Sequence, residues 1–235
     1  MIPLNPSTAS LLDIEPEVSR PAALPDRIYA ILKHRILTCT MRPGEKIVEA
    51  ALCQEMQVSR TPLREAFNRL ALEGLIEMKP YRGFAVAPVT VAGYKELCEF
   101  RRIVESGGAS LAAERATPEA IERLLAVAET RYTPGDKATY AGYLRANSAF
   151  HLELVRATGN SQMESVVMSA LDRHQRPLYL GLDEGVDAAA STAEHFAIVE
   201  AVRLGDSVLA AALMARHIGK AKDRIAKALE TAGYH

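Results

Sequence analysis

The sequence predicts a mainly α-helical protein, with an N-terminal winged helix-turn-helix followed by an all-helical antiparallel bundle of about six helices. Three observations predict it. Two apolar-periodic segments, Val48 to Met56 and a second beginning at Ser59, are joined only by Gln57-Val58, which is the tight connection of a helix-turn-helix. Two strand-like runs, Leu75 to Met78 and Phe84 to Val86, flank Lys79-Pro80-Tyr81-Arg82-Gly83 and read as a small hairpin, or wing, with Arg82 and Gly83 at its tip. From about Val91 onward helical periodicity is almost continuous, broken by short loops.

The elements follow in order. Ile28, Ile31, Leu32 and Ile36 have helical spacing, and Arg42-Pro43-Gly44 ends that unit with a turn. Val48, Ala51, Leu52 and Met56 form the apolar set of the next, short helix. Ser59 is placed to N-cap the helix after it, its hydroxyl accepting from a first-turn amide. Pro62 is tolerated only in that first turn, and Gly74 suits the C-terminal stop. Leu63, Ala66, Phe67, Leu70 and Ala71 make a buried stripe, while Arg60 and Arg64 lie four apart at the exposed end. An apolar back and a basic N-terminal tip are what a helix entering a DNA major groove requires.

In the second half, the helix containing Tyr94, Leu97, Cys98, Arg101, Val104 and Glu105 runs toward Ala116. Thr117-Pro118-Glu119 opens another, with Ile121, Leu124, Leu125 and Ala128 as its apolar set. After the loop Thr133-Pro134-Gly135-Asp136, helices are expected over Ala138 to Ala157 and over Ser161 to about Leu180, where Pro177 ends or kinks the second. Leu182 to Asp187 reads as a loop, and Gly205 separates Ala188–Leu204 from Asp206–Ala232.

Net charge is −1, so an affinity for nucleic acid cannot come from the total. Between Leu24 and Thr90, ten Lys/Arg stand against seven Asp/Glu, giving +3 there and −4 elsewhere. A modestly basic reader joined to an acidic body follows. The expected division is a flexible tail over 1–22, a DNA-binding unit over 23–90 and a helical sensor and dimerisation unit over 91–235. Cys39, Cys53 and Cys98 show neither metal spacing nor a disulfide framework, favouring core filling in a cytoplasmic protein. No apolar run is long enough to span a membrane, and the first 22 residues lack the basic start of a signal peptide. Paired carboxylates, a nucleophile elbow and a phosphate-binding glycine loop are all missing, which argues against an enzyme.

A second constellation lies in the helical half. Asn147 and His151 are four apart on one helix and point the same way, and His195 and His217 lie on the last two helices. Three imidazoles and an amide oxygen can close around a divalent ion, with zinc or nickel suited better than calcium or magnesium. Spacing alone equally allows three unrelated polar side chains. His34, His174 and His235 lack this placement. Tyr140, Tyr143, Met163 and Met168 read first as packing residues, and Glu194 as an exposed acid at a helix start.

Residues 25–88 resemble the DNA-binding domain of the GntR family of bacterial transcription regulators. The resemblance rests on Arg42-Pro43-Gly44-Glu45, Val58-Ser59-Arg60-Thr61-Pro62-Leu63-Arg64-Glu65-Ala66, Leu70 through Leu75 and Arg82-Gly83-Phe84-Ala85-Val86. It implies that Arg60, Thr61 and Arg64 contact operator DNA and that Arg82 and Gly83 approach the minor groove. Where some relatives carry a DNA-contacting arginine at the start of the second helix, this chain has Ala50 and Ala51, so Lys46 is the candidate replacement.

Residues 94–220 resemble the FCD effector domain of the FadR-type branch, through Phe100-Arg101-Arg102-Ile103-Val104-Glu105, Asn147-Ser148-Ala149-Phe150-His151, Glu194-His195-Phe196 and Ala215-Arg216-His217. In metal-binding members an acid and three histidines hold the ion. His151, His195 and His217 match the histidines, and Asn147 stands where aspartate is most frequent. A site with a neutral fourth donor has greater need of an anion, which a small organic acid would supply. Arg101 matches an arginine that often faces this cavity, its alternative role being an ion pair with Glu105. The resemblance implies a homodimer on a palindromic operator, with DNA affinity tuned by the acid. The alternatives are a DNA binder with a purely structural metal, or a metal-dependent enzyme.

Overall fold

Helix α1 (Leu24–Leu37) opens the part of the chain that the computed structural model describes, which comprises residues 23–79, 83–186 and 188–235. The expected tail over 1–22 and the wing-tip residue Arg82 lie outside those residues. Ile28, Leu32, Ile36 and Leu37 of α1 are buried, but Ile31 is 37% exposed. At 3.6 residues per turn it sits about 100° from the centre of the Ile28–Leu32–Ile36 stripe.

Strand β1 (Lys46–Ile47) was not anticipated, because two residues carry no periodicity. It pairs antiparallel with β3 (Gly83–Val86), which in turn pairs with β2 (Ile76–Lys79), giving the order β1-β3-β2. Lys46 lies opposite Ala85, and Lys79 opposite Gly83. Helix α2 (Glu49–Met56) buries Leu52, whereas Val48 is the extended residue before the helix and is 54% exposed.

Helix α3 (Arg60–Leu72) buries Leu63, Ala66, Phe67 and Leu70 completely, and the Phe67 ring meets Phe84 of β3 with centroids 4.7 Å apart. Gly74, at φ +71°, ends the helix: its amide donates to the Ala71 carbonyl and that of Leu75 to the Leu70 carbonyl. Ser59 does occupy the N-cap position in extended backbone, but its side chain makes no capping hydrogen bond. One of the two amides such a cap could take is missing, because the third helical position is Pro62, which has none to donate.

Six helices follow: α4 (Val91–Arg115), α5 (Pro118–Ala128), α6 (Lys137–Arg156), α7 (Ser161–Asp183), α8 (Ala188–Arg203) and α9 (Ser207–Thr231). Thr90, Thr117, Asp136, Asn160 and Asp206 cap five of them by accepting backbone amides. α4 and α9, both long, lie along each other and form the most extensive helix pair of the bundle. Pro177 does not end α7, which continues to Asp183, and Leu182 is helical rather than part of a loop. Packing decides this, since Leu178, Gly181 and Leu182 are buried in the bundle. Met168 of the same helix, read as core, is 49% exposed.

α7 also joins the two parts. Lys33 of α1 has its Nζ 2.5 Å from Asp172 of α7 and 2.9 Å from Glu73, the C-cap of α3. Arg176, also on α7, donates to the Ala87 carbonyl in the segment linking β3 to α4.

Truncating Phe67 to alanine should remove about 3–5 kcal/mol from the stability of the N-terminal unit. Guanidinium unfolding of the full chain checks this, and a loss under about 1 kcal/mol would mean the ring does not organise that core.

Candidate functional site

The first candidate surface is the N-terminal end of α3. Arg60, Thr61 and Arg64 are all exposed there. Without a Ser59 cap, the amides of Arg60 and Thr61 remain available, which makes the helix end a natural phosphate contact. Arg64 is held by Glu49 at the start of α2, with Nε 3.0 Å from Oε2 and Nη2 3.2 Å from Oε1. Lys46 is exposed on β1, and Gly83, at φ +80°, opens β3 at the exposed end of the wing.

The second is a cavity inside the bundle. It is lined by Arg101 of α4, Tyr143, Asn147 and His151 of α6, His174 of α7 and His217 of α9, among others. His195 of α8 joins them: His151, His195 and His217 each offer a ligand atom within 4.8 Å of the others, and all three are buried. Their spacing of 66 residues in sequence is closed by the packing of α6, α8 and α9 around α4.

Each ring commits its Nδ1 to an acceptor. His151 Nδ1 lies 2.5 Å from Glu105 Oε2, His217 Nδ1 2.8 Å from Glu194 Oε2, and His195 Nδ1 3.1 Å from the Ala128 carbonyl. These oxygens only accept, so the Nδ1 atoms carry the protons and the Nε2 lone pairs are left for a ligand. The buried His195 Nε2 has no hydrogen-bond partner. Phe150 stacks on the His195 ring at 3.8 Å between centroids and fixes its plane. Burial drives His151 down to about 4, against the opposing pull of Glu105, and pushes His195 and His217 below the usual imidazole range too. Neutral, oriented imidazoles around an unpartnered nitrogen fit a borderline divalent ion such as zinc or nickel.

Arg101 combines both roles considered for it. It lines the cavity and is paired with Glu105, with Nε 2.6 Å from Oε1 and Nη2 3.3 Å from Oε2. Arg102 is exposed and does not substitute for it. Burial alone would raise the Glu105 carboxyl, but Arg101 and His151 outweigh it and hold the group ionised.

Sequence reasoning missed three participants. Glu105 was legible as an i,i+4 partner of Arg101, but not as the partner of His151, 46 residues away. Glu194 is not an exposed acid. It serves His217 rather than its neighbour His195, because adjacent helical residues point about 100° apart. His174, set aside in the sequence, lines the cavity and stacks on Tyr94 with centroids 5.7 Å apart, its Nδ1 unpartnered. Tyr143 lines the cavity as well, while Tyr140 is core and donates to the Leu182 carbonyl.

Glu105→Gln would leave the Arg101 guanidinium, 2% exposed, without its counter-charge. The expected loss is about 3–5 kcal/mol of stability by chemical denaturation. A loss under about 1 kcal/mol would show that Arg101 finds another partner.

Residues 24–86 match the family described as bacterial regulatory proteins, gntR family, and residues 96–220 match the FCD domain. An HTH-type transcriptional regulator in an unstable DNA locus of Streptomyces ambofaciens is 32% identical over 199 residues, 84% of this chain and 83% of the relative. The regulator LutR of Bacillus subtilis is 30% identical over 205 residues, 78% and 92% of the two chains. A GntR regulator structure from Rhodococcus superimposes with a TM-score of 0.72 at 24% identity, covering 86% of this chain and 96% of that one. E. coli McbR/YncC gives 0.70 at 20% identity over 87% and 98%. These two likenesses show a shared fold. No helix among the described residues is long and apolar enough to cross a membrane. A basic-tipped helix-turn-helix with its wing, joined to a histidine-lined helical bundle, is thus accounted for over most of its length: the chain belongs to the GntR family of bacterial transcription regulators and carries an FCD effector domain.

Proposed function

We propose that this regulator works in the cytoplasm as a homodimer on a short palindromic operator, and that a small organic acid bound beside a divalent metal in the bundle tunes its DNA affinity. Residues 23–90 act as the reader and 91–235 as the sensor and dimerisation unit, in the manner of the FadR-type branch. Two α3 helices enter successive major grooves. Arg60 and Arg64 read bases, while Ser59, Thr61, Lys46, Arg82 and Gly83 contact the backbone or the minor groove. Asn147, His151, His195 and His217 hold the ion, zinc or nickel, which would give a carboxylate oxygen a Lewis-acidic contact. Arg101 keeps its second N–H edge for the same carboxylate, because Glu105 occupies only the edge made by Nε and Nη2.

One observation carries this reading. The three neutral imidazoles converge on a cavity whose wall, α7, also grips the DNA-binding unit through Asp172 and Arg176. The cavity offers only about 20 Å³ to the centre of a water-sized sphere. That admits an ion or a water, not an organic acid as well. An acid must therefore displace cavity walls, and His174 puts α7 among them. A shift of α7 acts on Lys33 and so on Glu73 at the end of the reading helix. The ligand changes DNA affinity only as far as it prefers one arrangement over the other.

Elemental analysis of untagged protein purified without chelators should find close to one metal per chain, and His195→Ala should bind far less. Equal metal content in the two would remove the three-histidine site. Asn147→Asp, restoring a carboxylate, should tighten metal binding.

Lys33→Met should retain metal but lose most of the change in DNA affinity that chelation or a panel of small carboxylates produces in wild type, read by fluorescence anisotropy on a selected duplex. A full response in the variant would take Lys33 off the path. Wild-type affinity that is indifferent to both metal and acids would instead favour a structural metal.

A further inference from the structure

We propose that Glu49 is a positioning residue: it decides which edge of Arg64 faces the DNA and thereby sets a guanine preference at one position of each half-site. This rests on the reading of α3 as the groove-entering helix.

Glu49 is the first residue of α2, and its side chain is 19% exposed, against 60% for that of Arg64. The carboxylate is the anchored partner and the guanidinium the projecting one. A guanidinium presents two edges with parallel N–H pairs, a side edge of Nε and Nη2 and an end edge of Nη1 and Nη2. Glu49 takes the side edge, through Nε at 3.0 Å and Nη2 at 3.2 Å. The end edge has no partner among the described residues. Two parallel donors match the O6 and N7 acceptors of guanine, whereas adenine offers one acceptor and one donor.

The restraint acts twice. A free arginine at the rim of a groove can swing to a neighbouring phosphate and contribute affinity without sequence information. Pinning the side edge removes that alternative and the rotamer freedom it requires. The carboxylate also cancels the charge of Arg64 towards the phosphates, which lowers affinity for any duplex. Glu49 therefore trades general affinity for discrimination. No other residue of the exposed basic tip is treated this way: Arg60 has no ion pair among the described residues.

The test selects binding sites for the full-length protein from a pool of random duplexes of about 20 base pairs, then measures the enriched duplex and its single-position variants by anisotropy. Arg64→Ala and Glu49→Gln should relax the same symmetry-related guanine position. Discrimination there should fall roughly tenfold or more, with the other positions keeping their preference. Glu49→Gln should at the same time bind an unselected duplex more tightly, with a steeper salt dependence. The double variant should discriminate no worse at that position than Arg64→Ala alone. Glu49→Asp, which keeps the charge on a shorter arm, should recover part of the preference and separates positioning from a general folding defect.

Unchanged preference at every position in Glu49→Gln would overturn the proposal, as would a loss spread evenly over all positions. A pool from which wild type enriches no motif would overturn the DNA reading itself. Enrichment of a motif in which Arg64→Ala and Glu49→Gln relax different positions would overturn only the role of Glu49.

Discussion

A single buried carboxylate, Glu105, holds the sensing half of this protein in order. It is fully buried on α4 and serves two partners, the Arg101 guanidinium one turn before it and the His151 ring on α6. A buried ion pair of this kind adds little net stability compared with apolar residues of the same size. What it adds is direction. With Nδ1 of His151 donating to Glu105, the opposite nitrogen has to face the cavity, and with one edge of Arg101 occupied, its other edge stays free. The same logic is repeated by Glu194 for His217 and by the Ala128 carbonyl for His195. Three acceptors from three different elements orient the three imidazoles.

α7 connects the cavity to the N-terminal unit by side-chain contacts. Its His174 lines the cavity, while Asp172 and Arg176 face the N-terminal unit. Helices are stiff along their axis, so a displacement at His174 is felt two residues away on either side. Lys33 then divides its ammonium between Asp172 and Glu73; burial works against the charge, but the half-buried contacts with both carboxylates outweigh it and hold the group charged. Tyr29 completes the cluster by donating to Glu73 under the Arg69 guanidinium, 3.9 Å above its ring. The end of α3 that faces away from DNA is thus tied to the bundle by polar contacts. Polar contacts rearrange at lower cost than a packed apolar seam.

The reading end of α3 follows the opposite principle. Its back is fully buried at Leu63, Ala66, Phe67 and Leu70, while its tip is left with uncapped amides and exposed arginines. Pro62 contributes to the second feature, since it locks the first turn and removes one of the amides that a Ser59 cap could use.

Most of the fold was legible in the sequence because it is written in local terms. The cap at Thr117, the stop at Gly74 and the helical period of the apolar residues depend on neighbours within a few positions. The histidines were legible only as candidates, first from their placement on three helices and then through a resemblance. Side-chain exposure at the edges of stripes, as at Ile31 and Met168, was not, because periodicity does not say how wide a neighbouring helix is. Nor was the passage of α7 through Pro177, where tertiary burial of Leu178 and Leu182 outweighs one lost amide. By itself, then, the sequence determined the elements, the reading helix and the residue types of a metal-compatible site. Only the tertiary structure decided which acid orients which histidine, that His174 belongs to the cavity, and that Glu49 holds Arg64. Each of those pairings joins residues 15 or more apart in the chain, or a residue to a space that no single helix encloses.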